Sequence, residues 1–246
     1  MKNLHHTDPV LTILTALAAE RKILDETGTA EKSNIEIIQC GMGCPAVLKT
    51  VSRMQRPTMI GSIGVSGGLA PALAPGTVIL GDTILNSCRR PSFLKDIYRS
   101  DVEIIEFLAS TMNGQGIDYQ LGSLLCASQP LLSARDKAAA FLETGALAVD
   151  MESAGAAEAA RTFGVPFFCL RVVCDPADRA LDEQLLVGVD GRGNSRLLRL
   201  LGVICRHPRL VGRLLTMVGD FSRAAGSMGQ VWKAIRRPLV DFAGKN

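Results

Sequence analysis

Between Ala148 and Asp175 the chain spells out a strand, a helix and a second strand. A short apolar run ends in Asp150-Met151-Glu152. Small residues at helical spacing fill Ser153 to Phe163, and the apolar run from Val165 ends at Asp175. Continuous apolar strands are buried on both faces, which requires a sheet covered by helices on each side. If these two strands are parallel neighbours joined by a right-handed crossover, Glu152 and Asp175 both emerge at the carboxyl edge of one sheet. That edge is where open α/β folds bind ligands.

The rest of the sequence extends the same alternation. Val10–Leu14, Ile35–Gln39 and Thr58–Ile63 read as strands, with helices over Ala16–Glu26 and from Pro45 through Met54. Val78–Leu80, Ile84–Asn86 and Gln120–Ala127 follow as strand pieces, and Val102–Met112 and Ala134–Leu142 as helices. Gly64-Val65-Ser66-Gly67-Gly68 reads as the glycine-rich end of the third strand and Leu69–Pro75 as a loop. After Asp175 the strand signal stops. Asn194 to Trp232 reads as two or three helices broken at Pro208 and near Gly226.

Composition narrows the classes of function. The 246 residues are 47% hydrophobic, enough for one large core. A net charge of +3 and 4% aromatics offer little to a phosphate backbone or to stacked bases, so nucleic acid is not an expected partner. The seven cysteines are odd in number and lie mostly in apolar runs. They read as reduced, buried thiols of a cytoplasmic protein, and no metal or cofactor is expected from their spacing. MKNLHHTDPV carries no signal-peptide pattern, and no apolar window is long enough to span a bilayer.

Four places carry candidate chemistry. Gly41-Met42-Gly43 lies after a strand and before a helix, so its amides can approach an anion, or it is merely a tight turn. It matches a loose dinucleotide fingerprint, but no acid ends the following strand to hold a ribose. The Gly64–Gly68 run gives a backbone room to approach a ligand. Glu152 can accept both vicinal hydroxyls of a ribose while Met151 packs beneath the sugar, or it only complements a helix dipole. Asp150 reads as structural. Asp175 is a general acid if desolvation lifts its pKa, or a cap for the next turn.

Together these pieces resemble the nucleoside phosphorylase and nucleosidase superfamily. The resemblance rests on Gly64-Val65-Ser66-Gly67-Gly68-Leu69, on Pro75-Gly76-Thr77-Val78 with Gly81-Asp82, on Val149-Asp150-Met151-Glu152 and on Val165 through Asp175. It covers about residues 10 to 190. It implies a three-layer α/β/α domain around a mixed, partly barrel-like sheet, cleavage of the N-glycosidic bond of purine nucleosides, and a homo-oligomer. By resemblance Glu152 would hold the ribose hydroxyls, Met151 would line the sugar, and Asp175 would protonate or hydrogen-bond N7 of the base. Leu131 and Pro130 would cover the base, by position.

Departures from the family pattern bear on the nucleophile. Hydrolytic members carry a water-activating Glu after the first strand, and the alignment sets Ala19 there, one residue before Glu20. Hexameric phosphorylases grip phosphate with an Arg and a hydroxyl on the third-strand motif, where Ser62 and Val65 stand. Phosphorolysis with inorganic phosphate as co-substrate is therefore expected, with hydrolysis the alternative. The phosphate ligands would come from Gly41, Met42, Gly43, Ser66 and Arg21, with Arg89 or Arg90 reaching from a neighbouring subunit. A non-catalytic nucleoside-binding protein on the same fold is the further alternative.

The chain divides into a catalytic domain, 1–193, and a basic extension, 194–246. From Arg192 to Arg237 the Lys and Arg residues face a single acid, Asp220. Leu197-Leu198-Arg199-Leu200-Leu201, Cys205 to Leu210 and Arg213-Leu214-Leu215 are similar to the extension of hopanoid-associated phosphorylases. That resemblance implies an adenosine derivative with a large apolar 5′ substituent, adenosylhopane-like. The extension would lie peripherally on a membrane through residues 194–240, or pack on the core; both readings stay open.

Overall fold

A computed structural model describes residues 11–27, 34–88, 96–188, 190–194, 203 and 206–244. Eight strands follow the chain as β1 (Leu11–Thr15), β2 (Ile35–Gln39), β3 (Ile60–Gly68), β4 (Val78–Asn86), β5 (Asp96–Arg99), β6 (Tyr119–Cys126), β7 (Ala148–Asp150) and β8 (Phe167–Asp175). Helices α1 (Ala18–Glu26), α2 (Cys44–Val51), α3 (Val102–Gly114), α4 (Ala134–Thr144) and α5 (Ser153–Phe163) are interleaved with them. α6 (Val211–Ala243) closes the described chain. Local chemistry sets several of these ends. The Asp101 carboxylate accepts the Glu103 and Ile104 amides at the start of α3, the Ser133 hydroxyl accepts the Asp136 amide at the start of α4, and Gly145 and Gly164 take left-handed conformations after α4 and α5.

One mixed sheet contains all eight strands. β3 pairs in parallel with β1 and β8 and antiparallel with β7, while β4 pairs antiparallel with β8 and parallel with β6, which pairs in parallel with β7. The path β3, β8, β4, β6, β7 thus returns to β3 as a closed five-stranded barrel. Register shifts at Ser66/Gly67 in β3 and Gly81/Thr83 in β4 let each long strand bend and change partners along its length. The core divides in two about the sheet. On one side Leu11, Ile13, Phe168 and Leu170 pack with α1, α3 and α6. On the other Leu14, Ile60 and Cys169 pack with α2 and α5. This is the expected three-layer α/β/α architecture.

The details correct several sequence expectations. The Gly64–Gly68 run is strand throughout, because β3 is hydrogen-bonded on both sides and its glycines admit close neighbours. Val78–Asn86 is one continuous strand. The edge strand β5 was not expected; four residues, two apolar ones between two charged, carry little local signal. β7 and β8 are not parallel neighbours: β3 lies between them, antiparallel to one and parallel to the other. α6 runs unbroken through Gly226 and Pro238, since most of its length is held by the core. Met228, Val231, Trp232, Ile235 and Leu239 are buried with the β1 and β8 side chains, and the Trp232 indole donates to the Leu24 carbonyl at 3.0 Å. Asp220 of α6 pairs with Arg223 and, across to the segment after β8, with Arg179. The basic, leucine-rich part of the extension at 195–202 and Cys205 lie outside the described residues. Among the described residues no helix is long and apolar enough to cross a membrane.

Candidate active site

The antiparallel β3/β7 pairing decides where Glu152 goes. Gly67 is opposite Val149 and Gly68 opposite Ala148, so the chain leaving β7 runs back along β3 toward Gly64. On the other side of β3, Gly67 is opposite Asp175. The two expected site carboxylates therefore flank the glycine-rich end of β3 from opposite sides. Packing at Gly67 is tight on both sides: a β-carbon there would sit 3.1 Å from an Asp175 oxygen and 3.3 Å from the Val149 side chain.

A narrow crevice lies at the Glu152 end, with room for about one water-sized group. Leu14, Thr15, Glu20, Ser62, Val65, Glu152 and Arg171 are among its walls. Glu20, and not Ala19, faces the crevice. It is the third residue of α1, and one carboxylate oxygen accepts the Ala16 and Leu17 amides at 2.9 Å each, a helix-capping contact. Its other oxygen crosses to the Val65 amide of β3 at 2.8 Å, and the side chain is buried. Burial raises the Glu20 pKa against three backbone hydrogen bonds and the more distant Arg171 charge. The signal available in the sequence was an acid at the third helical position after a buried strand, where a cap and a site residue look alike.

Glu152 is held by the glycine loop. The Gly43 amide donates to Glu152 Oε1 at 2.7 Å, and the Met42 amide is taken by the Gly191 carbonyl at 3.1 Å. Gly41 must be glycine, since its φ is 88° and a β-carbon would meet the Gly191 carbonyl oxygen at 2.9 Å. Of the loop expected to hold phosphate, the Gly43 amide is thus taken by the protein's own carboxylate and the Met42 amide by a backbone carbonyl, while Gly41 makes the turn. Burial, and then the neighbouring Asp150 charge, push Glu152 up to about 8.

Asp150 and Arg171 form the floor. The Arg171 guanidinium donates to Asp150 at 2.7 Å, to the Ser62 carbonyl at 3.0 Å and to the Ser62 hydroxyl at 2.9 Å. Asp150 in turn accepts the Glu152 and Ser153 amides at 3.2 and 3.1 Å, fixing the turn that carries Glu152. Its structural role in the sequence reading fits this placement. Arg171 was not singled out, although a lone arginine inside the run Phe167–Cys174 is a legible sign that a buried carboxylate must face it. With the Leu170 carbonyl as a further acceptor at 3.0 Å, most of its donors are committed to the protein.

At the other side of β3, Asp175 is bonded by the ammonium of Lys137, a fully buried residue of α4. Lys137 also donates to the Pro176 and Arg179 carbonyls at 2.9 and 3.0 Å. Burial raises the Asp175 pKa, and the Lys137 ammonium limits that rise. The remaining candidates are spread around this pair of centres. Leu131 is half-buried against the Leu69 and Val149 cluster, and Pro130 is exposed beside it. Met151 is half-buried, and Ser66 is buried on β3 with no hydrogen-bond partner for its hydroxyl. Arg21 is a correction: it lies on the outer face of α1, exposed and paired with Asp25 at 3.4 Å. Arg89 and Arg90 lie outside the described residues.

Solved structures share this architecture. The 5′-methylthioadenosine/S-adenosylhomocysteine nucleosidase of Helicobacter pylori, solved in complex with a substituted pyrrolidin-3-ol, superposes with a TM-score of 0.70 at 17% identity, over 93% of this chain and 97% of that one. The futalosine hydrolase of the same organism gives the same values. The corresponding nucleosidase of Neisseria meningitidis, in complex with methylthio-immucillin-A, gives 0.69 at 16% identity over 93% and 98%. At such identities the likeness is one of fold. The sequence itself matches the family model of the phosphorylase superfamily over residues 18–201, and the chain belongs to that superfamily.

Proposed function

We propose that the protein cleaves the N-glycosidic bond of a purine nucleoside, with water as the nucleophile. The observation that carries the choice of water is Glu20: a buried carboxylate facing a crevice with room for about one water-sized group, opposite Glu152. Expected phosphate ligands do not converge there. The Met42 and Gly43 amides are used internally, Arg21 faces outward and most Arg171 donors are committed to Asp150, Ser62 and Leu170.

The chemistry follows from the charges that develop. As the C1′–N9 bond breaks, the ribose becomes oxocarbenium-like and the bonding pair moves onto the base. Glu152 accepts the ribose hydroxyls and, in its ionised form, places a negative charge beside the cationic sugar. Met151 lines the sugar. Glu20 takes the proton of the attacking water, and its burial-raised pKa makes it a stronger base than an exposed glutamate. Asp175, held by Lys137, protonates or hydrogen-bonds N7 of the departing purine, with Leu131 and Pro130 beside the base. The base is adenine and the 5′ position carries an apolar group. The nucleosidase structures with methylthio-type ligands support this choice. So does the exposed apolar stripe of Val211, Leu215 and Val218 on α6, which suits a long, adenosylhopane-like substituent delivered from a lipid surface.

The test is adenine release from adenosine, 5′-methylthioadenosine and a long-chain 5′-alkyl adenosine, with and without inorganic phosphate. Release at one rate in both conditions, with a free sugar as the second product, is the expected result. Release only with phosphate, giving ribose 1-phosphate, overturns water as the nucleophile. No adenine from any of the three overturns the enzyme.

A further inference from the structure

Three thiols outside the carboxylate crevice converge from distant parts of the sequence. Cys44 opens α2, Cys88 follows β4 and Cys126 ends β6. Their sulfur atoms form a nearly equilateral triangle, with Cys44 3.5 Å from both Cys88 and Cys126, and Cys88 3.6 Å from Cys126. A disulfide needs about 2.05 Å, and Cys44, Cys88 and Cys126 are all reduced. Three thiolates at about 2.3 Å from a tetrahedral zinc ion stand roughly 3.8 Å apart. The triangle therefore needs to open by only a few tenths of an ångström. Cys44 and Cys126 are buried and Cys88 is half-buried, which leaves one side of the triangle open.

We propose that Cys44, Cys88 and Cys126 are the ligands of a soft, thiophilic metal ion, Zn²⁺ or Cu(I), bound beneath the Met151–Glu152 turn. Thiolate ligands select these ions over hard cations. No other Cys, His, Asp or Glu joins the cluster among the described residues, so Zn²⁺ takes its fourth ligand from the open Cys88 side, whereas trigonal Cu(I) needs none. Binding displaces the thiol protons to solvent, leaving thiolates on the ion.

The location gives the ion a structural task. The Cys44 sulfur is 3.4 Å from the Met151 carbonyl, Gly43 beside it donates to Glu152, and Cys126 is the register partner of Asp150. An ion here ties the starts and ends of three elements around the turn that carries Glu152. The site stands independently of the reaction proposed above.

The test uses the full chain, reduced and free of oxygen. Zn²⁺ is titrated in competition with a colorimetric chelator and Cu(I) against a chromophoric Cu(I) chelator. One equivalent of at least one ion per chain, with proton release and a melting temperature that rises with ion concentration, is expected. Cd²⁺ as a spectroscopic substitute is expected to give a thiolate-to-metal charge-transfer band of three-sulfur intensity. Cys88→Ser, at the half-buried corner, is expected to melt like the metal-free protein and to weaken binding about 100-fold or more. Cys40→Ser is expected to bind as the natural chain does. No stoichiometric uptake of either ion, or undiminished uptake by a folded Cys88→Ser, overturns the site. If Cys88→Ser does not fold, the three-sulfur Cd²⁺ band of the natural chain decides alone.

Discussion

At the residue scale the site is a set of buried carboxylates held apart by backbone amides and one arginine. Glu20 and Glu152 occupy the same crevice, and each is ordered by hydrogen bonds that leave its charge uncompensated by a paired cation. Glu20→Gln keeps the shape and removes the base, so kcat is expected to fall by about 10²–10⁴-fold, the range for loss of a positioned general base. Glu152→Gln is expected to lose a comparable factor in steady-state assays, and wild-type rates in either variant would remove that residue from the mechanism. The same burial shapes the pH dependence of stability. Glu152 titrates near 8 in the folded chain and near the ordinary 4.5 when unfolded. Between those values the folded state holds a proton that the unfolded state has lost, so stability is full below about pH 4.5 and falls as pH rises through 8. The melting temperature is expected to fall across that window, with a shallower slope in Glu152→Gln. Glu152, Met151 and Asp175 were legible in sequence because they end apolar strands. Glu20 and Lys137 were not, because an acid at a helix start and a lysine in an alanine-rich helix have ordinary solvent-facing explanations that only tertiary packing removes.

At the element scale β3 organises the site, and its glycines act in different ways. A β-carbon on Gly61 would meet the Phe168 ring at 2.3 Å, inside the core, whereas one on Gly64 would meet the free end of the Glu20 side chain at 2.7 Å. Gly61→Ala is therefore expected to overpack the core and cost about 1–3 kcal/mol in urea unfolding. Gly64→Ala displaces the end of a side chain rather than a core ring, at the expense of the Glu20 hydrogen bond to the Val65 amide, so a smaller loss of about 1 kcal/mol is expected while turnover drops as Glu20 leaves its position. Equal stability losses in the two variants would contradict this division. The strands with unbroken apolar runs were readable from periodicity alone. The glycine run was read as a strand end because glycine usually punctuates; its extended conformation depends on β7 and β8, which contact it from far along the chain. The antiparallel β3/β7 pairing is likewise a long-range fact, and it is what sends Glu152 toward Glu20.

At the scale of the whole molecule, α6 joins the enzyme's core to the carboxyl-terminal segment that sequence set apart as an extension. Its basic, leucine-rich sequence left a membrane-facing helix and a core-packed one both open, and its first turns do expose Val211, Leu215 and Val218. The later turns instead bury Met228, Val231, Trp232, Ile235 and Leu239 against the sheet. The distinction was present in the spacing of these apolar residues but masked by the interleaved basic ones. Trp232 measures how far α6 belongs to the core, since it combines full burial with a hydrogen bond to the end of α1, the helix that begins beside the site. Trp232→Ala is expected to destabilise by about 3–5 kcal/mol, as for large aromatic truncations in packed cores. Trp232→Phe keeps much of the apolar contact but leaves the Leu24 carbonyl only the long 3.4 Å hydrogen bond from the Thr27 hydroxyl, for a loss of about 1 kcal/mol. Chemical denaturation of the three proteins separates the two contributions. A Trp232→Ala variant within about 1 kcal/mol of the natural chain, the range of surface substitutions, would mean that α6 rests on the domain without sharing its core.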